Sequence, residues 1–147
     1  MRYFQYFILY LPYFINYYKN IICMTVFYTV ITILIAMKFR IDKSRYAVCE
    51  AIVSANEFTT VSQLLDFAMH DYYYFLTVEG GSVSFTKRSR DEVVRDLTPR
   101  REVVVRLSEM LNINMISLAD YALEHHFARR GIVRDDGSYD LSVIQLL

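Results

Sequence analysis

The sequence predicts a mainly α-helical protein with a short β-ribbon, preceded by an apolar N-terminal helix. Three observations lead there. Lys38-Phe39-Arg40-Ile41 alternates charged and apolar residues, the period of a strand. Thr60-Val61-Ser62-Gln63 has the form of a capping box and opens a segment of helical periodicity. Residues 91–130 repeat several residue types of the segment that begins at Met37, at a constant offset.

Residues 1–36 stand apart from the rest. They contain no Asp or Glu, and their charges are Arg2 and Lys19. From Ile21 to Ala36 the run is almost wholly apolar, about sixteen residues, against the roughly twenty needed to cross a bilayer. Lys38, Arg40, Lys43 and Arg45 follow it, so a spanning helix would leave the remainder on the cytoplasmic side. A secretory signal fits less well, because the apolar run is long, aromatic and without a small-residue cleavage site. The favoured expectation is an upstream extension, with Met37 or Met24 as the working start. Tyr, Phe, Ile, Asn, Lys and Leu dominate it, as in AT-rich DNA translated without selection for a fold. If translated, the segment should seek a membrane.

From Met37 the elements follow in order. In the strand, Phe39 and Ile41 should face a core and Lys38 and Arg40 should face out. Asp42 suits a helix N-cap. A first helix is expected from Lys43 to about Asn56, burying Tyr46, Cys49, Ile52 and Val53. Asn56-Glu57-Phe58-Thr59-Thr60 is a polar break, and Asn56 tolerates a left-handed turn. The second helix carries Val61, Leu64, Leu65, Ala68, Met69 and Tyr72 on one face. About forty residues are too few for a self-sufficient core, so the unit needs a partner copy.

This arrangement resembles the ribbon-helix-helix family of small DNA-binding repressors and antitoxins. The matching residues are Lys38-Phe39-Arg40-Ile41, the cap Asp42, the break Glu57-Phe58-Thr59-Thr60-Val61-Ser62 and the run Leu64-Leu65-Asp66-Phe67-Ala68-Met69. One departure is Asn56-Glu57 where many members place a glycine. The resemblance implies a strand paired antiparallel across a two-fold axis, in a homodimer or an intramolecular pseudo-dimer. It implies that Lys38 and Arg40 read bases of double-stranded DNA in the major groove. It also implies that Thr59, Thr60, Val61 and Ser62, at a helix N-terminus, hold phosphate; Lys43 and Arg45, in the first turn of the preceding helix, join them as candidate DNA contacts.

A second copy is expected at an offset of 54. Asp42 falls on Asp96, Leu64 on Leu118, Asp66 on Asp120 and Ala68 on Ala122. Its strand would be Glu92-Val93-Val94-Arg95, and its first helix would follow Thr98 with Pro99 at the first position. Asn114 would cap a second helix from Met115 to Arg130, ended by Gly131. Glu92 takes the place of Lys38 and Val94 that of Arg40, so this ribbon lacks the basic face. A competing register makes Arg101–Leu107 the strand, on the strength of three successive valines. Thr77–Thr86, with its glycine pair, reads as a small hairpin or joint, and Lys87-Arg88-Ser89-Arg90 as a solvated basic linker. The tail has a turn at Asp135-Asp136-Gly137 and an apolar run from Leu141 to Leu147 that should pack on its own domain or on a partner. The domains expected are 1–36, 37–76 and 91–147, joined by 77–90.

Composition sets limits on function. All 16 acidic residues and 14 of the 16 basic ones lie from Met37 onward, so attraction to DNA must come from a local patch rather than from net charge. Two lone cysteines give no disulfide framework and fit a reducing, cytoplasmic compartment. No P-loop, GxGxxG, GxSxG or HExxH motif is present, so no enzyme, cofactor or metal site is expected. His125-His126 are adjacent and on a helix would point about 100 degrees apart, poorly placed to chelate one metal. Tyr72-Tyr73-Tyr74-Phe75 reads more simply as a helix end covering a core than as a base-stacking platform. The expected function is sequence-specific transcriptional regulation. The alternatives are an antitoxin-like or membrane-anchored protein-interaction module that does not bind DNA.

Overall fold

The computed structural model describes residue 19 and residues 21–26, 36–83 and 91–145. Two units separate by their contacts, Met1–Ile35 and Ala36–Leu147. Residues 21–26 of the first are helical. Most of the candidate membrane span lies outside the described residues. Among those described, no helix is long and apolar enough to cross a membrane.

The second unit is mainly helical around a two-stranded antiparallel sheet, formed within one chain. β1 (Met37–Asp42) pairs with β2 (Glu92–Leu97), in the register Met37 to Leu97, Lys38 to Asp96, Arg40 to Val94 and Asp42 to Glu92. Alternation decides which way each residue faces. Phe39 and Ile41 are fully buried while Lys38 and Arg40 are exposed. Each buried side chain contributes roughly 1.5–3 kcal/mol of hydrophobic stabilisation, which holds the charged face outward.

Each strand leads into two helices. α1 (Lys43–Ser54) is capped by the Asp42 carboxylate, which accepts from the backbone N–H and the hydroxyl of Ser44. It ends before Asn56, whose φ of 61° is the left-handed turn expected there. Its buried residues are Arg45, Val48, Cys49 and Ile52. The expected stripe is therefore corrected: Tyr46 and Val53 are half-buried, and Val48 and Arg45 take the inner positions. α2 (Val61–Thr77) is capped by the Thr60 hydroxyl, which accepts from Gln63 N–H, while Gln63 Oε1 reaches back one residue further than in a capping box and accepts from Thr59 N–H. It buries Leu64, Leu65, Ala68, Met69 and Tyr72.

After β2 comes α3 (Arg101–Leu111), then α4 (Met115–Arg129) and a short α5 (Ser142–Gln145). Two expectations about the second copy change. Pro99 precedes α3 rather than opening it, because β2 runs on to Leu97 and Pro99 is itself buried. The alternative strand Arg101–Leu107 is helical, since Val104 and Leu107 bury one helical face together. Here packing outweighs the strand preference of successive valines. Asn114 caps α4 through its side-chain oxygen, and the chain turns at Gly131 with φ 71°. The tail folds back through a bridge between Val133 and Tyr139, and Ile144 is buried in the core. No strand forms over residues 78–83, and the basic linker Lys87–Arg90 lies outside the described residues.

One core unites both halves. Phe39, Ile52, Leu64 and Met69 from the first share it with Leu107, Leu118, Leu123 and Phe127 from the second. Residues 37–76 and 91–147, expected as separate domains, are one unit in this respect.

Candidate nucleic-acid interface

The outward face of the ribbon is set by cross-strand pairs, because directly opposed residues share a face. Arg40 stands opposite Val94, which is 52 % exposed. These two are also 54 positions apart, so exchanging each strand residue for its counterpart at that offset maps the register onto itself about this pair. The same operation carries the pair Lys38–Asp96 onto Glu92–Asp42. The chemistry does not follow the symmetry. Lys38 Nζ lies 3.0 Å from Asp96 Oδ1, both exposed. At the other end the Asp42 carboxylate caps α1 and is buried, and Glu92 is half-buried.

The sequence-derived contacts therefore divide. Arg40 is exposed, and among the described residues it has no ion-pair partner. Lys38 is exposed but tied to Asp96, and Lys43 is exposed with Asp91 3.3 Å away. Arg45 does not reach the surface and is corrected as a DNA contact. Its side chain is 5 % exposed, 3.2 Å from Asp120 and 2.8 Å from Glu124. Burial alone would lower its pKa. The hydrogen bond that Arg45 donates to Glu124 and the surrounding acidic groups outweigh that and raise it above its ordinary value, so the guanidinium stays charged. Asp96, the counterpart of the cap Asp42 at the offset of 54, faces outward on β2 and caps no helix.

Thr59 and Thr60 are exposed and Val61 and Ser62 are half-buried at the start of α2. The Ser62 hydroxyl accepts from the backbone N–H of Thr98, just past β2. Among the described residues, the N–H groups of Val61 and Ser62 have no acceptor. Unpaired amides at a helix N-terminus favour an anion.

Two aspartates 54 positions apart, Asp66 and Asp120, fasten the opposite ends of the ribbon. Asp66 accepts from Arg100 N–H at 2.8 Å and meets its guanidinium at 3.0 Å. Asp120 accepts from Asp42 N–H at 2.9 Å and meets Arg45. Each second helix thus holds the segment leaving the other half's strand. Burial would raise the Asp66 carboxyl, but the bonds from Arg100 outweigh it and lower its pKa. Tyr139 adds a bond from its hydroxyl to Glu124 at 2.9 Å, fastening the tail to the Arg45 cluster.

Two features fell outside the sequence reading. Arg95 lies over the Tyr46 ring at 4.8 Å rather than in the core. His125 and His126, despite their adjacency, both approach Asp71 Oδ2, at 3.7 and 3.9 Å, where Arg129 also meets Asp71 at 3.3 Å. Among the described residues no group of three side chains is arranged to hold a metal. Tyr72 is buried and Tyr74 is 52 % exposed, so the aromatic run both fills the core and reaches solvent.

Set against family models, curated proteins and solved structures, the chain matches none.

Proposed function

We propose that the chain is a sequence-specific DNA-binding regulator of ribbon-helix-helix type, in which one polypeptide supplies both halves of the ribbon. The observation that carries this reading is the antiparallel ribbon, whose register maps onto itself about the pair Arg40 and Val94 when residues 54 apart are exchanged. A two-stranded ribbon fits the B-DNA major groove, and an exposed arginine at its centre suits guanine, to which it can donate twice. The α2 N-terminus, with open amides at Val61 and Ser62 and exposed hydroxyls at Thr59 and Thr60, supplies a place for backbone phosphate. Such a regulator works on cytoplasmic DNA.

The test is a mobility-shift titration of the full chain against a random-sequence duplex pool at low salt. A retarded fraction that enriches one sequence supports the reading, and no retarded fraction removes it.

A second reading has its own observation. Lys38 and Lys43 are each paired with an acid, and Phe67 and Tyr74 on α2 and Val78 just past it are more than half exposed. A face with so little free positive charge also suits a protein partner, as in an antitoxin-like module. Co-purification of a defined partner protein, without DNA, would favour it.

A further inference from the structure

From the inequivalent ends of the ribbon, we propose that one chain reads a duplex element without two-fold symmetry, and that Val94 and Asp96 are specificity residues in it. The inference rests on the DNA-binding reading and says which DNA.

The register of the ribbon maps onto itself under the offset of 54, and its outward chemistry does not. A ribbon of two identical strands meets a palindrome, because each base contact recurs across the axis. Here the axis passes between an arginine and a valine. Arg40 can donate to guanine O6 and N7, whereas Val94 can only make apolar contact, and the one apolar group in the major groove is the thymine methyl. The centre therefore reads a guanine on one side and a thymine on the other.

The flanking positions differ as sharply. Lys38 Nζ and Asp96 Oδ1 form a donor and an acceptor 3.0 Å apart, both on exposed side chains. In a G·C pair the major groove offers the acceptor O6 beside the N4–H donor, a complementary pattern at hydrogen-bond spacing of about 2.9–3.0 Å. Lysine to guanine and aspartate to cytosine is thus open to this pair, with the carboxylate's charge offset by its neighbour. The pair equivalent under the offset, Glu92 and Asp42, presents no donor, since Asp42 is buried as a cap and Glu92 is acidic and half-buried.

Selection of the full chain on a random duplex pool tests this, followed by titration of the selected site. The expected motif is non-palindromic, with a G·C pair to one side of a guanine and a thymine, bound by one chain per duplex. Replacing that thymine by deoxyuridine removes only the methyl group and should weaken binding about fourfold, the effect of one methyl contact. Val94→Ala should bind both duplexes alike, which a merely structural role for Val94 would not produce. Val94→Arg should shift the selected centre toward symmetry. A palindromic motif, or a deoxyuridine effect unchanged in Val94→Ala, overturns the inference and leaves DNA binding standing. Failure to enrich any duplex overturns the reading beneath it.

Discussion

Arg45 of α1 and Asp120 of α4 meet 3.2 Å apart with both side chains shut away from water. The contact crosses from one half of the repeat to the other, and Glu124 completes it at 2.8 Å. Removing one partner of such a pair strands the other's charge in the interior. Arg45→Ala is therefore expected to cost about 3–5 kcal/mol of stability, read as a fall in the denaturation midpoint. Lys43→Ala, which breaks an exposed pair, should cost no more than about 1 kcal/mol. Equal losses in the two variants would show that the buried pair contributes little.

Arg40→Ala should weaken the selected duplex about 5- to 150-fold, the range for one bidentate base contact, while random-sequence DNA loses much less. Filter-binding or fluorescence titrations on the two duplexes give the comparison. Losses of the same size on both would make Arg40 a phosphate contact.

Salt dependence should be shallow. With Lys38 and Lys43 already facing Asp96 and Asp91, few cations remain to displace counterions. The slope of log K against log salt is expected to stay below about 3 in magnitude, corresponding to some three neutralised phosphates. A slope near 10 would show that other cations, such as those of the Lys87–Arg90 linker, dominate the contact.

Acid should destabilise the fold in a window set by histidine. Burial lowers the pKa of His126 and of His125 below the ordinary 6.5, the positive Arg130 adding to the effect at His126 and Arg129 at His125, with Asp71 opposing at both. A group whose folded pKa is depressed takes up its proton first in the unfolded chain. Their neutral, packed form thus leaves stability intact above pH 6.5 and erodes it as pH falls below that value. Thermal midpoints between pH 8 and pH 5 should decline, and His126→Gln should flatten the decline. A midpoint that rises on acidification would show that the folded chain binds these protons more tightly than the unfolded one.

The left-handed turn at Asn56 makes a sharper test of backbone physics. Asn56→Ala should cost about 1–2 kcal/mol, because a Cβ without a polar side chain is unfavourable at φ 61°. Asn56→Gly should cost little or stabilise. Chemical denaturation of the two variants separates them.

Much of the architecture was legible in the residues. The alternation at Lys38–Ile41, the capping box at Thr60 and the cap at Asn114 are local signals with local causes, and the elements lie where those signals put them. The offset of 54 also anticipated the Asp66 and Asp120 equivalence. Less legible were the features decided by packing. Arg45 looks like a surface cation in sequence, and only the approach of α4, 75 positions on, encloses it. The α1 stripe rotates because Arg45 finds carboxylates inside. Asp96 coincides with the cap Asp42 at the offset of 54, yet β2 extends past it and it stands opposite Lys38. Strand register, which no local pattern encodes across so long a separation, settled which charges cancel.

The covalent link between the two strands has a consequence for dilution. A homodimeric ribbon dissolves into single chains when the protein is scarce, and its stability is inseparable from its concentration. Here the second strand is always present at the high effective concentration of a tether. The assembled form should persist even at a handful of molecules per cell, and each half is free to drift in sequence without its twin having to change in step.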